Sequence, residues 1–411
     1  MSALPNAPHA LFLENLHDDA DRAINLFGPV SVTRLASSPE RAQLEADLQT
    51  ADVIGIRSRT HIDGALLDLA PNLLAVGCFC IGTNQVELEE AAKRGVPVFN
   101  APFANTRSVA ELTMASIIML MRRIPEKMFA IHESGGWLKT AEGSHEVRKK
   151  KLGIVGYGNI GAQLSVIASA LGMHVYYYDV EPKLAHGNAR PTESLDELLS
   201  LADVVTLHVP DTAQTRGMIR AEHLAKMKKG SFLINHARGQ LVDIDALTEA
   251  LKSEHLAGAA IDVFPKEPKG KDEAFDSPLR QFKNIILTPH IGGSTLEAQA
   301  AIGEDSAMKL AKYLYQGATN FAVNFPNIEP GPIKPGNTRL TVSHLNAPGF
   351  LSRLNEKVSN AGLNITAQFL QTQGDLGYAI ADMEGAMPHD FQAIIEGLDG
   401  AIRVRLIGQS A

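Results

Sequence analysis

Three polar side chains in the second half of the sequence each stand a few positions beyond a short apolar run. Arg238 follows SFLI within INHARG, Glu267 follows the apolar start of AAIDVFPKEP, and His290 follows IIL in LTPHIGG. Ligands of doubly wound α/β sheets bind at the carboxyl ends of strands, so these positions converge on one site if the runs are strands. The three side chains suit hydride transfer at a 2-keto or 2-hydroxy acid. A guanidinium holds a carboxylate through two parallel bonds and polarises the neighbouring carbonyl. An imidazole, titrating near ~6.5, can give or take the hydroxyl proton. A carboxylate beside it stabilises the imidazolium and raises its pKa. Arg238, Glu267 and His290 are therefore the expected catalytic set, with Asn235, His236 and Asp262 at the same strand ends.

Hydride chemistry calls for a dinucleotide, and the sequence has a place for one. Gly156, Gly158 and Gly161 form G-x-G-x-x-G directly after KLGIV and open the helical stretch AQLSVIASALG. Strand, turn and helix in that order bring a pyrophosphate against backbone N–H groups at the helix N-terminus. The next apolar run, HVYYY, is followed by Asp179, eighteen residues beyond Gly161. A carboxylate there accepts hydrogen bonds from the ribose hydroxyls and repels a 2′-phosphate, so NAD is expected rather than NADP.

The elements around these residues alternate apolar strands with amphipathic helices from Ala51 to about Gly293, which predicts parallel α/β sheets. A long helix is expected over Ser108–Arg123, with Ser108 as N-cap and Glu111 three residues on. The segment Pro326–Asn337, dense in proline and glycine, reads as a linker. Beyond it the pattern is βαββαβ, the ferredoxin-like arrangement. At 411 residues the chain is too long for one ordinary core.

A net charge of −8 without a basic run argues against nucleic acid, so any anionic ligand must be met by local arginines. Arg57-Ser58-Arg59 ends the run ADVIGI and offers such a pair; Asn105 is a weaker contact candidate. Cys78 and Cys80 read as two buried reduced thiols, and no metal site is expected. No apolar run approaches the ~20 residues of a membrane span, and the first residues lack a secretory pattern, so a cytoplasmic protein without membrane partners is expected.

The blocks GYGNIG, INHARGQLVD, GAAIDVFPKEP and LTPHIGGST resemble the signature segments of the D-2-hydroxyacid dehydrogenases. CFCIGTNQVEL and APFANTRSVAEL resemble in particular the subgroup that acts on phosphoglycerate. The resemblance implies catalysis by Arg238, Glu267 and His290. It implies cofactor contacts at Asn159, Ile160, Asp179, His236, Ala237, Arg238, Asp262, His290 and Gly293, besides the glycine turn. His236 departs from the small residue usual there. The fold implied is two doubly wound Rossmann-like domains with a cleft between them. Residues 1–104 and 294–330 would bind substrate, residues 105–293 would bind NAD, and 337–411 would form an ACT regulatory domain. Substrate contacts are expected from Arg57, Ser58, Arg59 and Asn105. In the serine-inhibited members an L-serine effector is held between two ACT domains, here by His344, Asn346 and Asn364. A homotetramer through NAD-domain and ACT-domain contacts follows, with Trp137 as an anchor of the first.

The activity implied is NAD-dependent oxidation of 3-phospho-D-glycerate, the entry to serine synthesis, with 2-oxoglutarate reduction as a side activity. Another 2-hydroxyacid is the alternative substrate. The same fold also serves as an NAD-sensing transcriptional corepressor, against which the intact Arg238–Glu267–His290 set counts.

Overall fold

A computed structural model describes residues 7–268 and 273–408. Two compact units emerge, Met1–Ala104 with Gln299–Ala411, and Asn105–Ala298.

The first unit opens on five short strands: β1 (His9–Phe12), β2 (Ser31–Arg34), β3 (Val53–Ile56), β4 (Ala75–Cys78) and β5 (Val98–Asn100). They form one parallel sheet in the order β2-β1-β3-β4-β5. β3 and β4 are buried along their whole length, which is why VIGI and AVGC carry no polar alternation. The carboxyl ends of β1 and β3 lie side by side, with Phe12 opposite Gly55.

The second unit holds β6 (Lys151–Val155), β7 (His174–Tyr178), β8 (Arg190–Pro191), β9 (Val204–Leu207), β10 (Ser231–Asn235), β11 (Leu256–Ile261) and β12 (Ile285–Leu287). All pair in parallel in the order β12-β11-β10-β9-β6-β7-β8. The winding direction reverses between β6 and β9, and that switch point is where such sheets open a crevice for a ligand. The long helix differs from its expected form. It runs Thr106–Met121 after Asn105, and Ser108 sits in its first turn, its hydroxyl bonded to Thr295 Oγ1 at 2.9 Å instead of capping. The helix stops at Arg123, which adopts a left-handed φ of 54° and is held there by two bonds to Glu126. A separate helix, Ile124–Ser134, follows.

The C-terminal residues of the first unit form β13 (Thr338–Leu345), β14 (Asn364–Gln373), β15 (Leu376–Glu384) and β16 (Ala401–Ile407). Their antiparallel order, β14-β15-β13-β16, with helices Phe350–Asn360 and Phe391–Glu396, is the expected ferredoxin-like arrangement. This sheet has its own core around Leu340, Phe350 and Phe391. It also shares one: Tyr378 and Ile380 of β15 pack in a single cluster with Phe12, Phe99, Leu310 and Phe325. The first part of the proline-rich segment is thus docked through buried Ile328, with buried Phe325 just before it, and 330–336 carries no helix or strand. Arg339 is fully buried, paired to Asp382 at 2.6 and 2.8 Å, and donates to the carbonyls of Gln316 and Gly331. Among the described residues no helix is long and apolar enough to cross a membrane.

Candidate active site

The glycine turn lies at the switch point of the seven-stranded sheet. Gly156 continues β6 with a φ of +90°, and a Cβ there would meet the carbonyl oxygen of His208, just past β9, at 2.5 Å. Only glycine lets these two strand ends approach so closely. A Cβ on Gly158 would meet nothing within 4 Å, which leaves open space at the start of the helix Asn159–Ala170. That helix has no side-chain cap, and its first-turn N–H groups suit a phosphate. Asn159 is exposed and Ile160 half-buried at this opening, and Gly161 is buried in the first turn. Asp179 lies one residue past β7. Its carboxylate accepts from the Tyr157 amide at 2.7 Å and the Glu181 amide at 3.0 Å, so this carboxylate also fixes the glycine turn. An open cradle, a free helix N-terminus and a carboxylate at the end of the second strand fit a dinucleotide.

Beyond β10, β11 and β12 the polar residues meet. The buried Asp262 carboxylate accepts from Thr288 Oγ1 at 2.5 Å, the Ile291 amide at 2.9 Å and the Gly292 amide at 2.8 Å. Its backbone carbonyl takes the amide of His290 at 2.8 Å. These bonds hold His290 in a left-handed conformation, φ 55°, that a bulky residue rarely adopts. The imidazole Nδ1 meets Glu267 Oε2 at 2.9 Å and Oε1 at 3.1 Å. The Glu267 bond, chiefly, raises the His290 pKa above its ordinary value, against the opposing effects of burial and Arg238. Burial pushes Glu267 up, but bonds from His290 and the Phe264 amide, with the charges of His290 and Arg238, bring it net below the usual carboxylate range. Nδ1 is engaged, which leaves Nε2 for a substrate proton. Glu267 is itself anchored by the Phe264 amide at 3.0 Å.

Arg238 stands on the adjoining strand end. Its carbonyl accepts from Asn235 Nδ2 at 2.9 Å, and one guanidinium nitrogen donates to the Ala237 carbonyl at 2.6 Å. It forms no ion pair among the described residues, so its remaining N–H groups are open to an external carboxylate. A Cβ on Gly239 would lie 2.1 Å from the Phe264 carbonyl carbon, which shows how tightly the Arg238 and Glu267 segments abut.

His236, unusual in its motif, turns out buried, with Nδ1 at 3.1 Å from Thr113 Oγ1. Burial holds its pKa down to about 4, against the pull of Asp262. A second imidazole, half-buried His208, lies outside the sequence motifs. Burial, then the charge of His236, pushes it down to about 3. Its Nε2 meets Thr206 Oγ1 at 3.0 Å, and its buried Nδ1 has no partner among the described residues. The sequence does carry a signal for it, because His208 follows the apolar run VVTL as His290 follows IIL. Asn105 packs against Gly293, where a Cβ would meet Asn105 Nδ2 at 2.4 Å, and its Oδ1 is buried without a partner.

In the first unit, Arg57 is half-buried and Ser58 and Arg59 exposed just past β3. His344 at the end of β13 is buried and stacks on Phe350 at 3.9 Å. Its Nδ1 meets the Leu345 carbonyl at 2.8 Å, and Nε2 has no partner. Burial lowers its pKa. Asn346 is exposed and donates to the Gly374 carbonyl at 3.0 Å; Asn364 is exposed and donates to Glu384 at 2.7 Å. Pairing of Leu345 with Leu376, and of Asn364 with Glu384, puts Asn364 at the opposite end of the sheet from His344 and Asn346.

Residues 114–292 match the family model of the D-isomer specific 2-hydroxyacid dehydrogenase NAD binding domain. Over 97% of its length the chain is 49% identical to D-3-phosphoglycerate dehydrogenase of Haemophilus influenzae, of which it covers 96%. The chain belongs to the D-2-hydroxyacid dehydrogenase family. The phosphoglycerate dehydrogenase of Escherichia coli K12 is 48% identical over 97% of each chain. A D-lactate dehydrogenase structure from Aquifex aeolicus, complexed with NAD and lactic acid, matches at a TM-score of 0.64 and 28% identity, covering 74% of this chain and 95% of that one. As a member of this family the chain is an NAD-dependent oxidoreductase with the expected α/β Rossmann-like fold.

Proposed function

We propose that this chain oxidises 3-phospho-D-glycerate to 3-phosphooxypyruvate with NAD, the first step of L-serine biosynthesis. The observation that carries the reading is near full-length similarity to phosphoglycerate dehydrogenases in a chain whose Glu267–His290 pair is assembled. Bound NAD supplies the hydride acceptor, and the glycine turn, the Asn159–Ile160 helix start, Asp179, Asp262 and the backbone of 236–238 are the groups suited to hold it. Arg238 takes the substrate carboxylate through the N–H groups that its Ala237 bond leaves over. His290 receives the hydroxyl proton at Nε2, and Glu267 stabilises the imidazolium that results. Arg57 and Arg59 recognise the phosphate as a cationic pair, and Asn105, with its unpartnered Oδ1, contacts the substrate. Reduction of 2-oxoglutarate is the side activity to expect of such a site. Cys78 and Cys80, as reduced thiols, suit a reducing cytoplasm.

The helix Ile124–Ser134 buries none of its residues within one chain, and Met128, Phe129, Ile131, Trp137 and Leu138 are exposed beside or along it. Such an apolar surface marks a subunit contact. The edge strand β14 supplies a second contact in a homotetramer. L-serine would bind there, between His344 and Asn346 of one chain and Asn364 of another, since within one chain these residues sit at opposite ends of the sheet. Steady-state NADH absorbance with 3-phosphoglycerate, and with 2-oxoglutarate in reverse, each with and without L-serine, tests the reading. Absence of turnover with 3-phosphoglycerate refutes the substrate; turnover untouched by millimolar serine refutes the effector. Asn346→Ala is the cleaner regulatory variant, because truncation at Pro330 would strip Tyr378 and Ile380 from a core shared with the rest of the unit.

A further inference from the structure

The loop that presents Arg57 and Arg59 is built around a buried carboxylate from another strand. β1 and β3 run parallel, and past their ends the chain of β1 turns sharply, with left-handed φ of 61° at Glu14 and 52° at Asn15. Two successive non-glycine residues in that region are strained, and such strain persists only where surrounding bonds over-determine it. Here the turn drives the Glu14 side chain under the end of β3, where the residue is 8% exposed. Glu14 Oε1 accepts from the amides of Arg57 at 3.2 Å and Thr60 at 2.9 Å, and Oε2 accepts from the amide of Arg59 at 3.1 Å. Gln85 Nε2 donates to the Arg57 carbonyl at 2.6 Å, and Thr60 Oγ1 bonds Ser38 Oγ at 2.9 Å. The backbone at 57, 59 and 60 is thus pinned.

A carboxylate this close to two arginines would ordinarily pair with them. Its oxygens are instead taken up by backbone N–H groups, and neither guanidinium forms an ion pair among the described residues. The three converging N–H groups make a concavity of the kind that binds anions, filled by the protein's own carboxylate. Substrate anion is thereby left to the side chains, at positions fixed by the loop.

We propose that Glu14 is the positioning residue for substrate-anion recognition: it fixes the 57–60 backbone and leaves the Arg57 and Arg59 forks free for a phosphorylated substrate. The inference rests on the proposed phosphate role of these arginines. Misplacing a binding group by about 1 Å is enough to cost up to ~10²-fold. Glu14→Gln, which keeps the volume but puts an N–H₂ against backbone donors, therefore raises KM for 3-phosphoglycerate roughly tenfold or more. kcat and NAD affinity, the latter by calorimetry, stay within about twofold of the parent, because the bonds of the Glu14 carboxylate go to the 57–60 backbone. Gln85→Ala loosens the same loop from its other side and shifts KM the same way. It carries the test if Glu14→Gln does not fold. In an Arg57→Ala/Arg59→Ala background, Glu14→Gln adds less than about twofold, since the groups it positions are gone. If the double arginine variant leaves KM unchanged, the phosphate reading itself fails. If that variant raises KM while Glu14→Gln and Gln85→Ala do not, the positioning role is overturned and the phosphate reading stands. A Glu14→Gln enzyme that loses kcat and NAD affinity together with KM also overturns it, since that pattern marks general loosening.

Discussion

The Asp262 carboxylate offers a sharp test of how the His290 loop is held. In Asp262→Asn one oxygen becomes an N–H₂ group. If the amide keeps its oxygen toward Thr288 Oγ1 and the Ile291 amide, its nitrogen faces the Gly292 amide, donor against donor, across what was a 2.8 Å bond. The reverse orientation strands the Ile291 amide instead, while the Thr288 hydroxyl can rotate to accept. Either way one buried N–H goes unsatisfied, which costs about 1–3 kcal/mol, and the surviving bonds lose their charge assistance at about 1 kcal/mol each. The loop also holds His290 at a left-handed φ, so it has strain to release once these bonds weaken. A loss of about 3–4 kcal/mol lowers kcat/KM by roughly 10²–10³-fold. Thr288→Val removes one bond and leaves the other two, so its effect is about tenfold. NADH absorbance gives the kinetics, and hydrogen exchange at Ile291 and Gly292 reads the loop directly. An Asp262→Asn enzyme within threefold of the parent, with unchanged exchange at both amides, would refute this account.

Three other perturbations probe separate parts of the molecule. Oxidation needs neutral His290, so activity emerges as pH rises through a pKa that Glu267 holds above the ordinary imidazole value. Glu267→Gln removes that charge, lowers the histidine pKa and moves the acidic limb of the oxidative pH profile to lower pH; an unmoved limb would exclude Glu267 from the mechanism. Asp179→Ala weakens NAD binding and relaxes discrimination against NADP, because both the repulsion of a 2′-phosphate and the bond to the Tyr157 amide are lost. Calorimetry with both dinucleotides checks it, and a parent enzyme that prefers NADP would contradict the reading. Trp137, 81% exposed in one chain, is expected to be a subunit anchor, so Trp137→Gly lowers the oligomeric state in sedimentation velocity; an unaltered sedimentation coefficient would count against that contact.

Much of this is legible in the sequence because it depends on local order. A strand, a glycine turn and a helix in succession mark a dinucleotide cradle wherever they occur, since the phosphate is met by backbone groups within a few residues of one another. Arg238, Glu267 and His290 group together on sequence alone, because parallel strands deliver their carboxyl ends to one side of a sheet. The ferredoxin-like order at the C-terminus is readable for a similar reason: its apolar runs alternate with amphipathic stretches.

What the sequence does not decide depends on contacts between distant segments or on space. The long helix ends near Arg123 as its pattern suggests, but it starts at Thr106 rather than Ser108, because the Ser108 hydroxyl is taken by Thr295 Oγ1, 187 residues away. The proline-rich segment reads as a linker, yet its Ile328, with Phe325 just before it, is buried in a core that the C-terminal sheet completes. The lowered pKa of His236 comes from burial, a property of the space around it. Glu14 is the clearest case. By composition it is one acid among forty-six Asp and Glu residues, forty-three positions from Arg57. Only the parallel pairing of β1 with β3 carries its carboxylate beneath the arginine loop, because hydrogen bonds reach about 3 Å and sequence separation says nothing about which strand ends will meet.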